Sequence, residues 1–202
     1  HEVKDSLISA IREQVSNFYG EDPKQSSSYC RIINQDHFHR LEKLLQNGNI
    51  VFGGETDPEQ LYMAPTLLDN ANLDSAVMSE EIFGPILPVI GFETVLDAVE
   101  FVNKHPKPLA MYVFSNKQGF NDYVLENTSS GGACVNDTLL HVTSPELPFG
   151  GVGKSGMGCY HGKYSFDTFS HHKSILKKPF KMDMFLRYPP FKPILKHVFK
   201  NI

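Results

Sequence analysis

The run Glu80-Glu81-Ile82-Phe83-Gly84-Pro85 brings a carboxylate, an aromatic ring and a Gly-Pro turn close together in the chain. Such a carboxylate can accept hydrogen bonds from vicinal hydroxyls while the ring packs on a flat heterocycle. The bland alternative is a solvated Glu pair ahead of a strand. A second run, Phe149-Gly150-Gly151-Val152-Gly153-Lys154-Ser155-Gly156-Met157-Gly158, imitates two phosphate-binding motifs. Gly151, Gly153 and Gly156 fit GxGxxG. That motif works by joining a buried strand to a helix whose N-terminus holds the pyrophosphate. Here Pro145-Glu146-Leu147-Pro148 precedes it and Gly158, Tyr160 and Gly162 follow, so neither partner element is expected. Gly153-Lys154-Ser155 also echoes a P-loop, whose first glycine would fall on Pro148. A backbone that passes close to other groups explains these glycines better.

The remaining reactive types do not assemble into a known constellation. His37 and His39 lie two apart on an expected helix and face different directions, and His171 and His172 alternate faces of an expected strand. Neither pair has the i, i+4 spacing of a helical zinc site, so no metal is expected. Cys30, Cys134 and Cys159 form an odd set without CxxC spacing, which favours a reducing compartment over a disulfide framework or a zinc ribbon. None has an evident activating partner in sequence; Cys159 precedes His161 by two residues, but reactivity depends on placement in space. No serine nucleophile elbow is present. The sequons at Asn127 and Asn136 are read as chance.

The elements that must hold these residues follow from apolar spacing. Val3, Leu7, Ile8, Ile11, Val15 and Phe18 predict a helix that Gly20 stops. Asp36 is expected to cap a second helix, with Phe38, Leu41, Leu44 and Leu45 on one face and Gly48 at its end. Ile50–Phe52 reads as a short buried strand. From Ile86 the rhythm is regular. Strand Ile86–Phe92 leads into a helix capped by Thr94 and Asp97, strand Leu109–Phe114 into a helix capped by Asn116, and strand Ala133–Asn136 follows. That alternation predicts α/β architecture with a parallel sheet, the second half of a doubly wound domain, because the chain opens on a helix with no strand before it. After Thr138 a Gly, Pro and Ser loop is expected to about Asp167, then a strand over Phe169–Lys178. No internal repeat is visible.

With 202 residues, 41% of them hydrophobic, the chain has material for a real core, which excludes a disordered tail, a collagen-like repeat and a disulfide miniprotein. No uncharged apolar run approaches the length of a membrane span. The first ten residues carry Glu2, Lys4 and Asp5 with no apolar stretch, so they are not read as a signal peptide, and a start at His1 suggests an excerpt or processed product. Residues 170–202 hold eight lysines and arginines against Asp183 alone, while the chain as a whole is at −4. A basic tail on an acidic body suggests either a solvated arm or attraction to an anionic surface.

Glu81-Ile82-Phe83-Gly84-Pro85, Ser129-Ser130-Gly131-Gly132, Leu147-Pro148-Phe149-Gly150-Gly151-Val152-Gly153, Ser155-Gly156-Met157-Gly158 and Tyr160-His161-Gly162-Lys163 occur in that order. With Ser165-Phe166-Asp167-Thr168-Phe169-Ser170-His171 and Arg187-Tyr188-Pro189-Pro190 they closely resemble the carboxyl-terminal half of class 3 aldehyde dehydrogenases, the fatty aldehyde dehydrogenase branch most nearly. The resemblance covers almost the whole chain, weakening after Pro190. It implies a partial catalytic domain over residues 1–168, and an oligomerisation strand with a basic tail over 169–202. In that family NAD (or NADP) oxidises an aldehyde to an acid: a cysteine thiolate adds to the carbonyl, hydride leaves, and a glutamate-activated water hydrolyses the thioester.

Carried over residue by residue, the resemblance implies that Glu81 holds the nicotinamide ribose hydroxyls and that Phe83 packs near the nicotinamide. It implies that Phe149, with Val142 and His161, lines an aldehyde pocket suited to a hydrophobic acyl chain, medium or long or aromatic. It implies a homodimer in which Phe169–Lys178 extends the partner's sheet. The family's nucleophile lies in a Gly-Gln-x-Cys context and its base in Glu-Leu-Gly-Gly, and neither string is present. No catalytic residue is therefore assigned here, and Cys134, in the Gly-Gly-x-x-x-Asn strand, is not the nucleophile by position. The resemblance puts that nucleophile and the adenine and phosphate sites upstream of His1, so the chain alone is expected to be inactive.

The alternative is a truncated, non-catalytic module that pairs with full-length subunits through its strand. A free-standing nucleotide-binding module is weaker, with only the nicotinamide end of a site. Some fatty aldehyde dehydrogenases end in a hydrophobic anchor and others in a lipidated cysteine. Residues 191–202 are too short to span and lack a terminal Cys box. Ile194, Leu195, Val198 and Phe199 would face one side of a short helix opposite Lys192, Lys196 and Lys200, a contact for a membrane surface or a sister subunit. The expected setting is cytoplasmic, with peripheral contact to an intracellular membrane. No nucleic-acid partner is expected.

Overall fold

The computed structural model describes residues 3–181, 183 and 188–190. In chain order its elements are α1 (Lys4–Tyr19), α2 (Gln35–Leu44), β1 (Asn49–Phe52), β2 (Thr56–Asp57), β3 (Tyr62–Met63) and β4 (Thr66–Asp69). There follow α3 (Ala76–Ser79), β5 (Ile86–Val89), α4 (Val95–Lys104), β6 (Ala110–Val113), α5 (Gln118–Asn127), β7 (Gly132–Val135), α6 (Leu140–Thr143) and α7 (Gly162–Thr168). α1 ends where expected: Gly20, at φ 79°, donates its N–H to Ser16 O. α2 keeps its expected apolar face, but its cap is Asn34 and not Asp36. The Asn34 side chain accepts from the His37 N–H, and Asp36 lies in the first turn, where a negative charge suits the helix dipole.

Around α2 the main core forms from Phe38, Leu41, Leu44 and Leu45 against Met63, Leu68, Ala71, Val77 and Ile86. Burying side chains such as Phe38, Leu41 and Leu68 stabilises the fold by about 1.5–3 kcal/mol each. The sheet beneath has order β1-β4-β5. β4 is its middle strand, with Thr66, Leu67 and Leu68 all buried. It runs parallel to β5, as the alternation predicted, but antiparallel to β1, so the sheet is mixed. β1 is half-exposed instead of buried, because it is an edge within the chain. The β2–β3 hairpin and β4 itself lie in a stretch for which the sequence offered no element.

β6 and β7 form a separate parallel pair joined through α5, as expected of a crossover unit. α4 carries the expected Thr94–Asp97 capping box. α5 differs: Lys117 occupies its cap position and no side chain caps it, while Asn116 lies one residue further out. Asn136, at φ 58°, closes the pair instead by accepting from the Ser115 N–H (2.8 Å) and donating to Ser115 O (3.1 Å). The region expected to be loop from Thr138 to Asp167 contains α6, most of α7 and a 3₁₀ turn over Gly153–Ser155. Residues 171–179 are exposed and form no ladder with any of the described residues, so a strand over Phe169–Lys178 has no partner among them. The expected tail helix over 194–199 lies outside the described residues. No helix among the described residues is long and apolar enough to cross a membrane.

Candidate functional site

The 80–84 turn is held by α2. Arg40 Nη1 donates to Glu80 Oε1 (2.7 Å), and its Nη2 donates to the Ile82 carbonyl. His37 Nε2 lies 2.7 Å from Phe83 O. A carbonyl can only accept, so Nε2 carries the proton, which leaves Nδ1 free to accept from Arg40 Nε (3.4 Å). Helical spacing explains the pairing: His37 and Arg40, three apart, share the face of α2 next to the turn. Gly84 closes the seat, since a Cβ there would come within 2.5 Å of Leu41 Cδ1.

The turn leaves its functional groups outward. Phe83 sits at φ 47°, uncommon for a bulky residue and costing about 1–2 kcal/mol. The residue is 73% exposed. Glu81 is exposed and has no ion-pair or hydrogen-bond partner among the described residues. The two stand two residues apart on one fixed turn. A carboxylate with both oxygens unengaged, beside an uncovered ring, fits a ribose with an attached flat base. Sequence reasoning missed His37 and Arg40; the signal lay in an Arg and a His three apart on the polar side of α2, with nothing in sequence to connect them to residue 80.

The second group gathers around Phe149. Phe149 pairs with Tyr160 through two main-chain hydrogen bonds of 3.0 and 2.9 Å. Its ring stacks on His161 (5.9 Å between centroids, 22° between planes) and meets the edge of Tyr160 (5.6 Å, 88°). Phe149 and His161 are thus together, as expected. Val142 is half-buried on α6, and the ring contact that ties α6 to Phe149 is made by the preceding His141, 5.9 Å away. His141 is buried with Nδ1 3.2 Å from Cys134 Sγ, a partner that the sequence did not reveal.

The glycine run works by close approach, as the sequence suggested. A Cβ on Gly150 would sit 2.1 Å from Gly158 O, and one on Gly151 would sit 2.1 Å from Ser155 O. Gly131 faces them, with the Gly150 carbonyl 2.2 Å from where its Cβ would be. The main-chain passes at 131, 150 and 158 therefore touch, and this is what fixes Phe149. Among the described residues no cluster of His, Cys, Asp or Glu could hold a metal ion.

Comparison with known proteins shows the family. The model of the aldehyde dehydrogenase family matches residues 1–175. A 4,4'-diaponeurosporen-aldehyde dehydrogenase of Staphylococcus aureus is 48% identical over 98% of this chain and 44% of its own length. Aldehyde dehydrogenase family 3 member A2 of Rattus norvegicus is 50% identical over 93% of this chain and 39% of its own. The solved substrate-bound state of Staphylococcus aureus AldH covers the whole chain at 47% identity and TM-score 0.84, and the chain matches 44% of it. A betaine aldehyde dehydrogenase from Staphylococcus aureus, solved in complex with NAD+, is 26% identical over 84% of the chain and 35% of its own, at TM-score 0.71. The chain thus spans roughly two fifths of the length of the curated relatives it matches.

Proposed function

Since the chain belongs to the aldehyde dehydrogenase family, we propose that it supplies the nicotinamide-side turn and the aldehyde-side wall of an NAD(P)-dependent enzyme that oxidises apolar aldehydes to carboxylic acids. The single observation that carries this is the 80–84 turn. Its backbone is fixed by His37 and Arg40, while Phe83 and Glu81 are left uncovered. Leaving a large aromatic ring in water forgoes about 1.5–3 kcal/mol of burial, a cost that a stacked heterocycle removes. The cofactor, when bound, supplies the hydride acceptor. Glu81 accepts from the ribose hydroxyls, and Phe83 bounds one side of the ring, so that both restrict the nicotinamide to one orientation.

On the substrate side, Phe149 and His161 form one stacked wall, with Val142 adjoining on α6. An aromatic surface of this kind favours medium or long alkyl chains and aromatic aldehydes over small polar ones. The acyl transfer itself, through a cysteine thioester and its hydrolysis, needs a nucleophile and a base in the Gly-Gln-x-Cys and Glu-Leu-Gly-Gly contexts, neither of which occurs in these 202 residues. The chain by itself therefore binds and positions without turning over. The unpaired, exposed segment 171–179 suits addition to a sister subunit's sheet, giving a homodimer. A relative from Rattus norvegicus is described as a dimeric, NADP-preferring aldehyde dehydrogenase, which supports that arrangement.

The test is aldehyde oxidation by the complete enzyme that contains this chain. With decanal and NAD+ or NADP+, decanoic acid and reduced cofactor are expected in equal amounts. The 202-residue chain alone should yield neither. No acid from the complete enzyme with any apolar aldehyde overturns the reading, and acid from the chain alone overturns the division of roles.

A further inference from the structure

Cys134 and His141 form a thiol–imidazole pair that the proposed reaction does not use. Cys134 is half-buried on β7, opposite Tyr112 of β6, with Sγ 3.2 Å from His141 Nδ1. His141 is only 7% exposed, and the rings of Tyr112 and Phe149 each lie 5.9 Å from it. Its opposite edge lies over Gly132, where a Cβ would come within 2.6 Å of Cδ2 and 3.0 Å of Nε2. Only a residue without a side chain leaves the ring this seat, and the seat aims Nδ1 at sulfur. The other nitrogen, Nε2, is buried with no hydrogen-bond partner among the described residues. A buried, unpartnered ring nitrogen is a standing cost, of the kind that packing alone does not require and that reactive sites often carry.

We propose that Cys134 is a covalent modification site for apolar conjugated carbonyl compounds, enals and enones, with His141 as its base. Sγ bonds to the β-carbon of the electrophile, and the C=C π pair moves toward the carbonyl as an enolate. The thiol proton passes to His141 Nδ1 and then to the α-carbon. The sum is addition of S–H across the double bond, with no oxidant, reductant or leaving group. Sulfur is a soft nucleophile, which selects a conjugated carbon over a simple carbonyl, and the aromatic surroundings of Tyr112 and Phe149 select an apolar one. Neither Cys30 Sγ nor Cys159 Sγ has an imidazole within hydrogen-bond reach among the described residues, so the pairing is particular to Cys134. The proposal stands whether or not Phe149 and His161 bound an aldehyde pocket.

The test treats the complete enzyme that contains this chain, without cofactor, with limiting trans-2-nonenal, reduces the adducts with borohydride and maps those on this chain by peptide mass, in native buffer and in urea. The ratio of Cys134 to Cys30 labelling should be at least about tenfold higher in the native chain, the low end of what a positioned base contributes less what half-burial removes. In urea the two thiols should react alike. His141→Gln should abolish the native preference while leaving Cys30 labelling unchanged. A native ratio no higher than the ratio in urea overturns the proposal without reference to any variant. A preference that survives in folded His141→Gln, with a cooperative melt as the check on folding, overturns the assignment of the base.

Discussion

Glu81 and Phe83 stand clear of the surface because His37 and Arg40 spend their hydrogen bonds on the backbone and the carboxylate beside them. The division matters: Glu80 is the structural member of the Glu pair and Glu81 the available one. In the complete enzyme, Glu81→Gln should leave folding intact and lower kcat/KM for the cofactor by an amount equivalent to a charged hydrogen bond, about 1.5–3 kcal/mol or some ten- to hundredfold. Steady-state rates against NAD+ concentration measure it, and unchanged kinetics remove Glu81 from the cofactor site. Tyr29 illustrates a purely structural polar group. Burial pushes its phenol well above the usual value, so it stays protonated and donates to Met63 O at 2.8 Å.

At the scale of elements, α2 is the part on which the turn depends. Leu41 is fully buried and also forms the floor beneath Gly84. Leu41→Ala should cost about 2–5 kcal/mol in urea unfolding of the complete enzyme, and the same variant should weaken cofactor use, since the turn loses its seat. An element of different character is the β2–β3 hairpin, fastened by Lys24 Nζ to Asp57 at 2.6 Å. That hydrogen bond first, and then the backbone N–H of Gln60, hold the Asp57 carboxyl below its ordinary value. The stabilisation is present above the unfolded-state pKa and is lost as pH falls through the lowered folded value. Thermal melts should decline over that acidic range, and Asp57→Asn should flatten the decline.

α1, α2, α4 and the β6–α5–β7 unit were legible in sequence because each carries its own periodicity or capping box. β4 was not legible: Pro65-Thr66-Leu67-Leu68-Asp69 has no alternation, since both faces are covered, and its identity as a strand comes from β1 and β5, remote in sequence. The Cys134–His141 pair was hidden for a related reason. Seven residues apart on different elements, the two meet only because α6 folds back over β7. Asn34 was passed over as a cap because Asp36, two residues on, is an equally good capping type. The cap is set by where the chain enters the helix, which α2's packing decides.

For the whole molecule, the notable quantity is apolar surface left without cover. α1 buries none of its residues, with Leu7 48% and Phe18 67% exposed, and a hollow of about 510 Å³ between α4, α5 and β6 is lined by the incompletely buried Val102, Met111, Phe120 and Val124. Surfaces of this extent seek partners. The 202-residue chain alone should self-associate at micromolar concentration and bind a hydrophobic dye, as read by sedimentation velocity and fluorescence. A monodisperse, dye-silent monomer would contradict this. The contact of Gly131, Gly150 and the Gly158 carbonyl has a consequence on another time scale. Mutation acts on side chains, and this junction has none to alter: a first methyl group on Gly131 or Gly150 already collides with main chain. Over evolutionary time Gly131 and Gly150 are therefore the positions expected to tolerate no exchange, while the rings mounted on the junction, Phe149 and Tyr160, are the parts left open to variation.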